Sequence, residues 1–409
     1  MRVLHFAPRV CWPLDTGAKL RNYHLARILS EHAHLTLLAF TDQEEQPTGA
    51  LEEFYEQVST VPRDAGYTFP KILRGVLGRT PLPVLNYTTT AMKQALARTL
   101  SAQQFDIVQV ESIHLMAYLS ILREAHPRPL VVCDWHNIES ELMQRYSERE
   151  SNAARRAYAR KTARMMSDSE TRALQEFDAH VAVSQRDAEK LRQINSQARV
   201  FVIENGVDTN FYSDEQIEIA YRKAKPAEAA REKNRIVFVG SMDYHANVDG
   251  VVNFGREVWP QVRGRLPGLT FTIVGRDPAP EVRELAAMPG LEVTGTVDDV
   301  RPFYREAAAA VVPLKVGGGS RLKILEAMAA GVPVVSTTLG AEGLNVKHGE
   351  NILIADTDRE LIDAIRSVVE DEGLRQRLSA AGRILVSNHY DWSRLGTNLF
   401  EVYQQLLGG

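Results

Sequence analysis

Short apolar runs alternate with helical patterns along nearly the whole chain. A first series comprises Arg2 to Phe6, Leu35 to Phe40, Ile107 to Val110, Leu130 to Cys133, Ala179 to Val183 and Val200 to Ile203. A second comprises Ile236 to Val239, Phe271 to Val274, Leu291 to Thr294, Ala309 to Pro313 and Val332 to Val335. Strands covered by helices on both faces read as such continuous runs, so the alternation predicts parallel sheets of α/β class. Two series predict two doubly wound, Rossmann-like domains, at residues 1–205 and 235–390. Residues 206–234, charged and rich in Ala and Lys, are expected as a linker. Open sheets of this kind bind ligands at the carboxyl ends of their strands, and two such domains facing each other would share a central cleft.

Composition narrows the partners. A chain of 409 residues exceeds what one hydrophobic core organises, in keeping with two domains. The formal net charge of -4 gives no global pull toward nucleic acid. Cys11 and Cys133 are the only cysteines, which argues against a disulfide framework or a cysteine metal site and suits a reducing compartment. RVLHFAP at the amino end lacks a signal peptide's apolar core, and no run approaches the ~20 apolar residues of a membrane span. The expected location is cytoplasmic, with the inner face of the membrane as the alternative. That alternative rests on seven basic residues between Arg145 and Arg164, on a helix-compatible pattern with Leu142, Tyr146, Ala153 and Ala157 on one face. A solvated helix face is the default for such a stretch; a patch for anionic lipid is the sharper reading.

The chemistry concentrates in VVPLKVGGGSRLKILEAMAAGVPVVSTTLGAEGL, residues 311–344. Gly317, Gly318 and Gly319 let the backbone approach an anion. Ser320 stands where it would cap a helix starting near Arg321, whose first-turn N–H groups carry partial positive charge. Leu322, Leu325, Met328 and Ala329 follow at helical spacing, and Gly331 with Pro333 ends the helix. Glu326 interrupts the apolar pattern. One turn in, it would repel phosphate but accept hydrogen bonds from ribose hydroxyls, so loop and helix together predict a nucleotide site.

In the first domain, the loop Pro13 to Gly17 lacks the G-x-G-x-x-G of a dinucleotide fold, which weakens a dehydrogenase reading. Asp134, His136 and Glu139 crowd the end of the strand Leu130 to Cys133, where a doubly wound sheet places ligand contacts. A neutral imidazole there would donate or accept a hydrogen bond, and a cationic one would favour an anion. Glu139 reads as a helix N-terminal carboxylate stabilised by the dipole. Asp356-Thr357-Asp358 spells D-x-D but precedes a helical pattern, so helix capping is its expected role. No His, Cys and carboxylate set has metal-ligand spacing, and no metal is expected.

Glu-Ala-Met-Ala-x-Gly-x-Pro-Val-Val after a glycine-containing loop resembles the nucleotide-sugar site of the retaining glycosyltransferases of family 4, which have the GT-B fold. The resemblance implies a donor site on the second domain, an acceptor site on the first, and a last helix, residues 391–409, that returns to the first domain. It implies a backbone N–H of Gly17 toward the donor diphosphate, a phosphate loop at Gly318, Gly319 and Ser320, and nucleotide contacts from Gly240, Glu326 and the backbone of Val297. His136 would lie near the transferred sugar, and Asp134 would orient its ring or act on the acceptor hydroxyl. Two departures stand out. The family's Arg and Lys after the strand Ile236 to Val239 are missing: the lysine position is Asn247, and the arginine position lies within Ser241 to His245. Arg321 and Lys323 are the candidates to replace them. Gly318 also stands where the family's E-x7-E has its first Glu.

The implied activity is metal-independent and cofactor-free transfer of a sugar, with retention, from a nucleoside diphosphate to a hydroxyl of a glycan or lipid-linked glycan acceptor. An epimerase or hydrolase of the same fold and a non-catalytic nucleotide-sugar-binding protein are the alternatives.

Overall fold

The computed structural model describes residues 1–42, 49–63, 68–78, 80–225, 234–242, 244–316 and 321–408. They group into two units. The first contains Met1–Asn205 and the carboxyl-terminal helix Trp392–Gly408; the second contains the described residues from Gly206 to Asp391.

In the first unit, β1 (Arg2–Ala7), β2 (His34–Thr41), β3 (Gln57–Pro62), β4 (Ile107–Glu111), β5 (Leu130–Trp135), β6 (Ala179–Ala182) and β7 (Val200–Val202) form one parallel sheet in the order β3-β2-β1-β4-β5-β6-β7. The second sheet has the order β10-β9-β8-β11-β12-β13, from β8 (Arg235–Val239), β9 (Thr270–Val274), β10 (Leu291–Val293), β11 (Ala307–Val312), β12 (Val334–Ser336) and β13 (Leu353–Ile354). Both are doubly wound. Strand order reverses between β1 and β4 in one and between β8 and β11 in the other, and each reversal opens a crevice at the strands' carboxyl ends.

Burial on both sheet faces explains the runs read from the sequence. Leu4, Phe6, Leu38, Phe40, Val108 and Val131 are buried in the first core; Ile236, Phe238, Phe271, Ile273, Val311 and Leu325 in the second. The pattern misses β3, an edge strand in which only Val61 is fully buried, and β13, which is two residues long. The stretch expected as a linker has an ordered first half: Val207, Tyr212 and Ile217 join the second core. There the helix Asp214–Ala224, capped by Ser213, brings Tyr221 to Glu306. Residues 226–233 lie outside the described residues.

The basic stretch is two helices rather than one. Glu139–Arg149 ends before Glu150, and Asn152 starts Ala153–Glu176 by accepting from the Ala154 and Arg155 N–H groups. The face expected from Leu142, Tyr146, Ala153 and Ala157 is therefore not continuous. The second helix instead buries Ala159, Thr162, Ala163, Met165 and Met166. Arg145 pairs with Glu141 at 2.7 Å. No helix among the described residues is long and apolar enough to cross a membrane.

The helix Trp392–Gly408 packs on the helix Gly17–Leu29: Trp392 stacks on His24, Phe400 on His32, and Gly396 abuts Ile28. A Cβ at 396 would lie 2.5 Å from the Ile28 Cβ. We expect Gly396→Leu to push the two helices apart at a cost of about 1–3 kcal/mol, as overpacked cores do. Chemical denaturation of the first unit checks this; unchanged stability would mean the helix docks elsewhere.

Candidate functional site

In the first unit the register pairs Glu111 with Asp134 at the carboxyl ends of neighbouring strands β4 and β5, which sets two carboxylates side by side. Both are 1% exposed. Such a pair needs a cation, and Arg21 supplies it from the helix Gly17–Leu29. Its Nε and Nη2 donate to the two Asp134 oxygens at 2.9 and 3.1 Å, and Nη1 donates to the Glu204 carbonyl. Thr16 caps that helix by accepting from the Lys19 N–H, and Gly17 is its first residue. The helix that follows this loop and the end of β5 thus meet in one side-chain cluster.

His136 follows β5 directly. Its Nε2 lies 3.1 Å from Glu111 Oε2 and 3.9 Å from Asp134 Oδ2. Burial alone would depress the imidazole, but the Glu111 hydrogen bond and the Asp134 charge outweigh it and hold the ring above its ordinary value. Burial pushes Glu111 up, against the pull of His136. Glu139 heads its helix as expected, yet dipole stabilisation loses: burial raises it to about 7. The ligand atoms of Glu111, Asp134 and His136 lie within 4.8 Å of one another, close enough for a cation, a grouping that the sequence spacing did not suggest. Within this group Arg21 donates to both Asp134 oxygens and so commits that carboxylate in part. Asp134 is accordingly better placed to orient its neighbours than to meet an acceptor hydroxyl.

In the second unit the crevice at β8 is tight. A Cβ on Gly275, just beyond β9, would fall 1.7 Å from the Gly240 carbonyl oxygen, so the backbones after β8 and β9 touch. Gly240 in turn faces the side chains of Asn247 and Lys323. Lys323, in the helix Leu322–Ala329, donates to Asn247 Oδ1 at 3.2 Å and lies over the Phe238 ring. Arg276 Nε donates to Ser241 Oγ at 3.0 Å. The two stretches that lack the expected Arg and Lys are therefore each met by a cation from another element. Burial, then the Arg321 charge, lowers Lys323 to about 8. Glu326, one turn along, lies beside Tyr212, and burial raises it against the pull of Lys323.

Other expected residues separate. Arg321 occupies the cap position, and the helix starts at Leu322. The Arg321 side chain is buried against Glu342, with Nε on the Glu342 carbonyl at 3.3 Å, leaving Lys323 as the better placed of the two cations. Val297 follows β10, two strands out from the reversal. Gly318, Gly319 and Ser320 lie outside the described residues. Asp356-Thr357-Asp358 does cap a helix, through a reciprocal bond between Thr357 and Glu360. Sequence reasoning missed Arg21, Glu111, Arg276 and Tyr212. A signal existed for Glu111 and Arg276, since each is a charge at the end of an apolar strand run.

Residues 16–211 match the profile of Glycosyltransferase Family 4, and residues 233–371 that of Glycosyl transferases group 1. A phosphatidyl-myo-inositol mannosyltransferase of Mycobacterium tuberculosis is 28% identical over 216 residues, covering 50% of this chain and 54% of that protein. The chain spans about half the length of the curated relatives it matches. Among solved structures, sucrose-phosphate synthase from Thermosynechococcus elongatus has a TM-score of 0.72 at 16% identity, with 100% of each chain covered. Anabaena HepE, solved in complex with UDP and glucose, has a TM-score of 0.66 at 17% identity, with 98% of this chain and 99% of that chain covered. At these identities the likeness is one of fold.

Removing one partner of a buried ion pair strands the other charge, at about 3–5 kcal/mol. Arg21→Ala is expected to destabilise the first unit by that order, and Asp134→Asn in the same background to recover most of it. Chemical denaturation measures both; equal loss in single and double variants would show that the pair's charge is not what matters.

Proposed function

Because the chain belongs to glycosyltransferase family 4, we propose that it transfers a sugar, with retention, from a nucleoside diphosphate to a hydroxyl of a glycan or lipid-linked glycan, without metal or cofactor. The observation that carries this reading is the pair of cations at the reversal of the second sheet. Lys323 reaches the residue in the family's lysine position, and Arg276 reaches Ser241 in the stretch that should hold the arginine. A leaving diphosphate gathers charge as the glycosidic bond breaks, and preformed cations, Lys323 at a helix start and Arg276 after β9, would stabilise it without reorganisation.

In the proposed reaction the leaving phosphate oxygen takes the acceptor's proton on the face of attack, so no carboxylate nucleophile is needed. Glu326, partly committed to Tyr212, has acceptor capacity left for ribose hydroxyls. The first unit, with His136, takes the acceptor. HepE, whose structure holds UDP and glucose, supports a uridine nucleotide as the first donor to try.

Thermal-shift titration with a panel of nucleoside diphosphate sugars identifies the donor, since a ligand held by the folded state raises the melting temperature. Lys323→Ala and Arg276→Ala are each expected to weaken it about tenfold or more, the worth of one charged hydrogen bond. Asn247→Lys is expected to restore part of the loss in the Lys323→Ala background. Unchanged affinity in both single variants would refute the cation assignment. Donor cleavage without acceptor-dependent transfer would instead favour an epimerase or hydrolase, and tight binding with no turnover a binding protein.

A further inference from the structure

Glu111 lies beside His136, with Oε2 3.1 Å from the ring's Nε2. The kinetic consequences of this contact rest on the transferase reading, while the protonation of the ring does not. Glu111 is anchored from two directions. Gln109 Nε2 donates to its Oε1, and the Asn22 amide, with its NH2 turned inward, donates to its Oε2 at 3.0 Å and to the Ala18 carbonyl at 3.1 Å. A carboxylate so fixed, 1% exposed, cannot follow a moving ring; the ring must settle on it. His136 does so through Nε2, keeps 17% of its side chain exposed, and has no partner for Nδ1 among the described residues.

Charge decides the protonation state. With both buried carboxylates, Glu111 and Asp134, ionised, the one guanidinium, Arg21, leaves the cluster one negative charge in excess, which a proton shared by Glu111 and His136 cancels. Uncompensated buried charge is costly, and an imidazolium cancels it. The other titratable groups near the ring do not compete for that role. His114 is kept neutral by burial, which lowers it to about 4, and Glu139, from the helix Glu139–Arg149, adds further negative character when ionised.

We propose that Glu111 is a positioning residue for His136, holding the ring by Nε2 and retaining a proton on the pair, so that Nδ1–H is presented as a donor to a ligand oxygen. His136 then acts as a fixed cationic donor toward a sugar hydroxyl or a phosphoryl oxygen, and not as a base toward the acceptor. Asp134, neutralised by Arg21, contributes charge and orientation and does not touch the ligand.

The direct test is 15N NMR of histidine-labelled full-length protein, with His136 assigned through His136→Asn. In the wild type both ring nitrogens are expected to be protonated at pH 7, with a titration midpoint above the ordinary ~6.5. In Glu111→Gln, which keeps the shape and removes the charge, the midpoint is expected to fall. A neutral ring in the wild type at pH 7, or an unmoved midpoint in the variant, overturns the proposal. The wild-type spectrum stands even if the variant fails to fold, and neither spectrum depends on the protein being a transferase. Where turnover is measurable, Glu111→Gln is expected to lower kcat at least tenfold and to shift its pH profile to lower pH. A loss of kcat with an unshifted pH profile would mark Glu111 as merely structural.

Discussion

A charge removed from water must find a compensating charge within a few ångströms, and both units are organised around that requirement. In the first, adjacent parallel strands bring Glu111 and Asp134 together, and the register leaves no way to separate them. Arg21 and His136 are the response. In the second, Lys323 and Arg276 gather at the sheet reversal with Glu326 nearby, and burial already weakens the proton hold of Lys323. One unit gathers carboxylates around an arginine and a histidine; the other gathers two cations beside a glutamate.

The sheet architecture places these charges. Strand order reverses once in each sheet, and helices leave the carboxyl ends in opposite directions there. Glu111, Asp134, His136 and Arg276 stand at or just beyond such an end, and Arg21, Lys323 and Glu326 come from helices that follow strands beside the reversals. The backbone contact between Gly240 and Gly275 belongs to the same design: with no side chain at either position, Asn247 and Lys323 can close over the strand end.

Much of this was legible from the sequence because burial writes itself into local patterns. Both sheets follow from their apolar runs, and the helix bearing Glu326 from its spacing. His136 and Asp134 stand out as candidates because they come at the end of an apolar strand run. What escaped depends on contacts between distant segments. Arg21 reads as one charge on an amphipathic helix; only the fold carries it across 113 positions to Asp134. Arg276 reads as a turn residue until β9 is set beside β8. β3 escaped because an edge strand is half solvated and loses its apolar signature. The basic stretch misled for the opposite reason: its composition is continuous, while Asn152 divides its backbone.

If the second unit holds a nucleoside diphosphate through Lys323, the bound anion must restore the proton affinity that burial takes away. Burial lowers that ammonium to about 8 and a diphosphate would raise it again, so binding at about pH 8.5 should be coupled to proton uptake. Calorimetric titration of UDP into the full chain, in two buffers of different ionisation enthalpy, measures this directly. Net uptake in the wild type that disappears in Lys323→Met is the predicted result. Binding with no proton linkage, or with equal linkage in the variant, would contradict it.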